Sequence, residues 1–390
     1  MSKDKKSKID KLLTRGIESI YPSSEALKTK LLGNKKLTVY MGIDPTGPSI
    51  HIGHASVLLK LREFADLGHE VIVLIGDFTA MIGDPDKLNV RKKLSAEEVK
   101  SNYLNYKKQI KKIFGPRPFK VVYNSKWFSK MTMTEVLDLT SEFTVAQMME
   151  RDMFVERVKK NKPIYVSEFL YPLMQGYDSV HLNCDVEIGG NDQTFNMLVG
   201  RQLMGRKLKK EKFVLTLKLL VDPTGKKMGK TEGNMVNFSD TPSDVYGQVM
   251  SWPDDLIKPG FEICLDITNK EVDKYLAQDP KSAKMSLAKL ITEQTSSTEE
   301  AQRAEDDFVS KFQKKEEPLE KIILKVKKGE KLSEVLVRDG YLKSGSEFKR
   351  LVVAGGIIVD DNKLDDIHYF LNKNINLKVG KKRFFTIKVG

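Results

Sequence analysis

Two short runs of this 390-residue chain combine residue types suited to handling phosphate charge. His51-Ile52-Gly53-His54 follows an apolar run that predicts a strand and opens a run with helical periodicity. Unpaired N–H groups at a helix start favour anions, and glycine there permits close approach. Two imidazoles can donate hydrogen bonds without a strong ground-state charge. Far downstream, Lys227-Met228-Gly229-Lys230-Thr231 stands in a stretch rich in glycine and proline. Such a loop can close over a ligand and bring two ammonium groups to its phosphates. Between strand and helix, Asp44-Pro45-Thr46-Gly47-Pro48-Ser49 adds a carboxylate and a hydroxyl, stiffened by two prolines. Each element alone is common, since histidines cap helices and lysine-rich loops are usually solvated. Together they point to reaction at the α-phosphate of ATP, where positioning and charge neutralisation carry the chemistry.

A second constellation is Tyr171, Gln175 and Asp178, at i, i+4 and i+7 of a run that reads as a helix. A solvated helix face would explain them, but Leu170, Leu173 and Met174 give the run an apolar setting. Buried polar groups must find partners, and a ligand carrying an amine, a carboxylate and a phenol would supply them.

These side chains need a scaffold, and hydrophobic periodicity predicts one. Residues 37–43, 71–75, 119–123, 185–188 and 214–221 read as strands. Helices are expected over 53–67 and 95–115, the latter with a Ser95/Glu98 capping box. The continuous apolar run Val71-Ile72-Val73-Leu74-Ile75 marks a strand covered on both faces. This alternation predicts an α/β chain with a Rossmann-like, doubly wound parallel sheet and its ligand sites beyond the strands' carboxyl ends. A methionine-rich helical insert is expected over 132–158. Three domains follow: a catalytic domain over 1–234, an α-helical domain over 235–325 and, after a basic linker at 325–331, a small α+β domain over 331–390.

Composition narrows the class. Hydrophobic residues make up 40% and charged residues 31%, the balance of an ordinary globular protein. Lys and Arg number 66 against 53 Asp and Glu, a net charge of +13 that suits either a polyanionic partner or a solvated basic surface. Cys184 and Cys264 are too few for a disulfide framework or a thiolate zinc site, so a reducing compartment is expected. No secretion signal or apolar stretch long enough for a membrane span is visible, and the expected localisation is cytoplasmic.

His51-Ile52-Gly53-His54 with Lys227-Met228-Gly229-Lys230-Thr231 resembles the HIGH and KMSKS signatures of class I aminoacyl-tRNA synthetases. Gly229 and Thr231 stand where that family usually has serines. Tyr40-Met41-Gly42-Ile43-Asp44-Pro45-Thr46, Ile82-Gly83-Asp84-Pro85, Tyr171-Pro172-Leu173-Met174-Gln175-Gly176-Tyr177-Asp178 and Gly189-Gly190-Asn191-Asp192-Gln193 resemble, in order, the bacterial tyrosyl-tRNA synthetase family. The basic tail resembles a small RNA-binding domain shared with a ribosomal small-subunit protein. The resemblance implies catalytic roles for His51, His54, Thr46, Lys227 and Lys230, and ATP binding by Asp44 and Gly53 with His51, His54 and Lys230. It implies that Tyr40 and Asp178 read a tyrosine phenol, that Tyr171, Gln175 and Asp84 hold the α-amino group, and that Gln193 lies near the carboxylate. A tyrosine–tRNA ligase acting with L-tyrosine, ATP with Mg²⁺, and tRNA(Tyr) is therefore expected. It would be a homodimer with no tightly bound metal or organic cofactor and no membrane partner. Three alternatives remain: a tryptophanyl-tRNA synthetase, a small-molecule nucleotidyltransferase, or a catalytically silent RNA-binding synthetase paralogue. An indole N–H only donates whereas a phenol both donates and accepts, so Tyr40 and Asp178 favour tyrosine over tryptophan.

Overall fold

Short apolar runs build a six-stranded sheet: β1 (Ile17–Tyr21), β2 (Thr38–Ile43), β3 (Glu70–Ile75), β4 (Lys120–Tyr123), β5 (Val186–Gly190) and β6 (Phe213–Leu217). The computed structural model describes residues 3–85, 94–221, 235–312, 322–360, 362–380 and 383–390. Lys227 and Lys230 lie outside the described residues. Spatial order in the sheet is β1-β6-β5-β2-β3-β4. From β6 to β4 every neighbouring pair is parallel, and only the edge strand β1 runs antiparallel to β6. Val71 to Ile75 are all buried, as a strand covered on both faces requires.

The helix Ile52–Asp66 packs against this sheet, burying Leu58, Leu61 and Phe64 at helical spacing. Its far end is held by charges. Lys60 donates to the Leu12 carbonyl (2.9 Å) and to Glu63 (2.8 Å), while Arg15 pairs with Glu63. Asp266 then receives Lys11 and Arg62, joining the N-terminal helix Lys3–Thr14, the Ile52–Asp66 helix and the segment after the helix Ile257–Cys264. Burial pushes the Asp266 carboxyl up, but the Lys11 hydrogen bond and the charges of Arg15, Lys11 and Arg62 outweigh it and hold it at about 2.

Several expectations change. The helix expected over 95–115 is two helices, Ala96–Tyr103 and Tyr106–Phe114, capped at the start by the Ser95/Glu98 box. Tertiary hydrogen bonds tie both pieces to the loop after β2: Asn102 donates to the Pro45 carbonyl (2.9 Å) and Tyr106 to the Gly47 carbonyl (2.7 Å). From the second piece, Gln109 accepts from the Ile50 N–H (3.0 Å). β6 stops at Leu217, short of residue 221. The methionine-rich insert forms the helices Met133–Thr140, Val145–Met149 and Asp152–Lys159. The helices after residue 234 do not stand apart, because Met1–Glu305 forms one compact unit.

Asp306–Gly390 forms the second unit. It holds β7 (Ile322–Val326), β8 (Glu330–Lys331), β9 (Ile357–Val359), β10 (Asn362–Lys363), β11 (Phe370–Leu371), β12 (Ile375–Val379) and β13 (Arg383–Val389). Five of these form a sheet in the order β10-β9-β12-β13-β7. Residues 325–331, expected as a linker, instead contribute to β7 and β8: Leu324 and Val326 are buried in a core with Leu336, Phe348 and Phe385. Burial alternates only at the end of β7, with Leu324 and Val326 inside and Lys325 outside, too short a pattern to read in sequence. Among the described residues no helix is long and apolar enough to cross a membrane.

The low value at Asp266 fixes a pH dependence. A carboxylate depressed from 3.8 to about 2 adds stability that is complete above about 4 and lost as pH falls through about 2. Asp266→Asn is expected to lower unfolding free energy by roughly 2 kcal/mol at pH 7. In urea titrations the gap between variant and wild type should shrink below pH 4; a pH-independent gap would contradict the charge network.

Candidate active site

Strand order runs outward in both directions from the β2–β5 pair, through β3 and β4 on one side and β6 on the other. Such a reversal leaves a crevice beyond the carboxyl ends of the central pair. A cavity of about 290 Å³ occupies it, lined from β2 by Met41 to Asp44, from β5 by Glu187 to Gly190 and by the start of the Ile52–Asp66 helix. Leu220 and Met235, which flank residues 222–234, both lie on its wall. The returning chain is stitched to the helix start: Ile52 N–H donates to the Val236 carbonyl (2.9 Å) and Phe238 N–H to the Ile50 carbonyl (3.0 Å).

His51 is the N-cap of that helix, and the two histidines cap each other. The His54 N–H donates to His51 Nδ1 and the His51 N–H to His54 Nδ1, both at 3.3 Å. With both Nδ1 atoms accepting, the ring protons sit on the Nε2 atoms, leaving two N–H donors of fixed tautomer. The rings stack with centroids 3.6 Å apart. Gly53 makes this possible, because a Cβ there would press on the His51 ring at 3.1 Å.

Asp44 sits at the end of β2, where Thr79 Oγ1 donates to one oxygen and Tyr171 Oη to the other, each at 2.8 Å. Gly76 gives the carboxylate its room, since a Cβ at that position would overlap Asp44 Oδ1 and Thr79 Oγ1.

A polar pocket continues from there. Asp178, 3% exposed, accepts from Trp127 Nε1 (2.9 Å) and Asn124 Nδ2 (3.3 Å). Burial pushes its carboxyl well above the ordinary range, against those two donors, which favour the anion. Gln175 donates to Glu187 (3.1 Å) and accepts from Asn196 (2.9 Å). Asp84 accepts from Gln193 (2.9 Å) and pairs with Arg151 (2.8 Å).

The cavity lining therefore gathers Asp44, Thr46, His51, Gly53, His54, Asp84, Tyr171, Gln175, Asp178 and Gln193. Tyr40, expected to read the phenol with Asp178, is 1% exposed and packs in one core cluster with Trp127, the donor to Asp178. Its hydroxyl lies 2.8 Å from Ser179 Oγ. Ser179 gives its own proton to Glu187 (3.3 Å), so Tyr40 is the donor. Tyr40 reaches from β2 to the helix Val166–Leu182 at Ser179, the residue after Asp178, while Trp127 and Asn124 donate to Asp178 itself. Sequence reasoning missed Thr79, Asn124, Trp127, Arg151, Glu187 and Asn196. Glu187, a lone acid in the apolar run Val186-Glu187-Ile188, was the one visible signal.

A family model described as tRNA synthetases class I (W and Y) matches residues 32–313. With the crevice and its HxGH turn, this places the chain in that class: it belongs to the class I tRNA synthetases. A tyrosine–tRNA ligase of Thermotoga maritima is 41% identical over 390 residues, covering 97% of both chains. One of Carboxydothermus hydrogenoformans is 42% identical over 397 residues, covering 96% of both. Within its class the chain thus belongs to the tyrosine–tRNA ligase family. The fold is also that of a C-terminally truncated mitochondrial tyrosyl-tRNA synthetase from Aspergillus nidulans (TM-score 0.65, 24% identity, covering 78% of this chain and 94% of that one). A tyrosyl-tRNA synthetase from Archaeoglobus fulgidus, solved in complex with L-tyrosine, gives TM-score 0.62 at 24% identity, covering 77% of this chain and 99% of that one.

Gly76→Ala should dislodge Asp44 and destabilise the protein by about 1–3 kcal/mol. Gly205, whose Cβ would meet nothing within 4 Å, is the control, and Gly205→Ala should not destabilise. Equal urea midpoints for the two variants would count against a tight seat for Asp44.

Proposed function

We propose that this protein activates L-tyrosine with ATP to tyrosyl-adenylate and pyrophosphate, then transfers the tyrosyl group to the 3′ end of tRNA(Tyr). The observation that carries this reading is one cavity that joins a paired HxGH turn to a polar pocket. Tyrosine's carboxylate is already a nucleophile, so attack on the α-phosphate needs positioning and charge stabilisation rather than a general base. The Nε2–H groups of His51 and His54 donate to the phosphate oxygens as charge builds on them, beside the anion-favouring helix start. Thr46 and Asp44 border the same nucleotide. Lys227 and Lys230 belong to the stretch flanked by Leu220 and Met235, both on the cavity wall, and would bring ammonium groups to the leaving pyrophosphate. Mg²⁺ enters with ATP as part of the substrate.

In the pocket, Asp178 receives the substrate phenol, held by Trp127 and Asn124. Tyr171, Gln175 and Asp84 surround the α-amino group, and Gln193 steadies Asp84 on the carboxylate side. Phenylalanine lacks the hydroxyl, so a buried carboxylate would lose a partner, a costly omission. Tyr40, anchored on Ser179 and clustered with Trp127, is the proposed second reader of the phenol.

The inserted helices expose Met133 (74%), Leu137 (61%) and Val145 (70%), and the helix Val166–Leu182 exposes Val166 (80%). An apolar surface of this kind fits a second copy of the chain, and a homodimer is the proposed assembly. Leu137→Glu with Val145→Glu should yield monomers in sedimentation; an unmodified protein that already sediments as a monomer would refute the dimer. Phosphates of the tRNA are proposed to meet the Lys- and Arg-rich C-terminal unit, in the cytoplasm, where charging occurs.

Exchange of pyrophosphate into ATP tests the reaction. Tyrosine should support it, with tryptophan and phenylalanine far behind; no exchange with tyrosine would refute the reading. Asp178→Ala should cut the tyrosine-over-phenylalanine ratio of kcat/KM by about tenfold or more. An unchanged ratio would remove Asp178 from phenol recognition.

A further inference from the structure

Beneath the amino-acid pocket lies a charge pair that the chemistry above does not use. Lys212, just ahead of β6, is wholly buried, and Glu187 on β5 is 1% exposed. The ammonium donates to Glu187, to Ser179 Oγ (2.8 Å) and to the Met197 carbonyl (3.0 Å), so three protons meet three acceptors. Gly200 gives the ammonium its space: a Cβ there would lie 2.5 Å from Nζ and 3.0 Å from Ser179 Oγ. Burying two charges is costly, and apolar side chains of similar size would hold these elements together as well.

The polar pair supplies something apolar residues cannot. Glu187 lines the cavity, and its Oε1 faces Gln175 Nε2 at 3.1 Å. A carboxylate only accepts, so the Gln175 amide must turn its NH₂ toward it. The Gln175 carbonyl oxygen is thereby left on the side where Asn196 Nδ2 donates to it (2.9 Å). That oxygen is the one atom of the amide able to accept from a substrate ammonium.

We propose that Lys212, although it does not reach the cavity, is a positioning residue for amino-acid recognition: by holding Glu187 as an acceptor it fixes which end of the Gln175 amide meets the substrate. The inference rests on the tyrosine reading of the pocket.

Glu187→Gln tests it at nearly constant shape. Lys212 can only donate, so the new side chain must give it the carbonyl and turn its NH₂ toward Gln175. Gln175 must then flip. In pyrophosphate exchange, Glu187→Gln should raise KM for tyrosine about tenfold while KM for ATP stays within about twofold. Adding Lys212→Met frees the new amide to turn its carbonyl back to Gln175 and its NH₂ to Ser179 and Met197. The double variant should recover KM for tyrosine to within about threefold of wild type, a reversal that a merely structural pair would not give.

An unchanged KM for tyrosine in folded Glu187→Gln, an equal rise in both KM values, or a double variant worse than the single would overturn the proposal. If Glu187→Gln does not fold, Lys212→Met with Glu187→Met takes its place: raised KM for tyrosine in folded protein supports the proposal, and an unchanged value overturns it. Absence of tyrosine-dependent exchange in the wild type would remove the functional reading and this inference together. Wild-type exchange with unresponsive variants would remove the inference alone.

Discussion

A parallel sheet whose strand order departs in both directions from one pair has an unfilled notch beyond the carboxyl ends of that pair. Here the pair is β2 and β5, and the site is assembled at that notch from strand ends, a helix start and the body of the helix Val166–Leu182, which carries Tyr171, Gln175 and Asp178. β2 delivers Asp44, the Ile52–Asp66 helix delivers both histidines, and β5 delivers Glu187. The surrounding elements brace this geometry. The two short helices between residues 96 and 114 are fastened by side chains to the loop that connects β2 to the histidines.

Protein walls around a notch strengthen its electrostatic contacts and penalise unmatched ones. The pocket's acidic side chains are accordingly matched, each by different chemistry. Hydroxyls serve Asp44, a guanidinium serves Asp84, an indole and an amide serve Asp178, and an ammonium serves Glu187. Such a pocket is organised before its ligand arrives, which is what an enzyme stabilising transient charge requires. The family relationship and this prior organisation support the same reaction from independent directions.

The strands β2 to β5 were legible because their apolar runs are short, β-branched and punctuated, and the HxGH turn was legible because its residue types are rare together. The split of the 95–115 helix was not: both halves have good helical pattern, and the break answers to hydrogen bonds from Tyr106 and Asn102 to a loop some 57 residues away. β1 carries too few residues and too mixed a pattern to announce itself, and its place at the sheet edge is set by pairing with β6. Partners such as Trp127, Asn196 and Arg151 come from separate elements, and one-dimensional spacing holds no trace of their convergence.

The close passage of the helices Val166–Leu182 and Thr194–Leu208 at Gly176 and Gly200 has an evolutionary corollary. A Cβ on Gly176 would come within 3.1 Å of the Gly200 nitrogen, and one on Gly200 within 3.2 Å of the Gly176 Cα, with the Lys212 ammonium filling what space remains. Gly200 is thus confined from two sides, by Gly176 and by the Lys212 ammonium. A lineage that dispensed with the lysine would vacate a volume that alanine or serine at position 200 could occupy, whereas one that kept it would have no such freedom. Drift at positions 200 and 212 should therefore proceed in concert, with the cation departing before Gly200 is replaced.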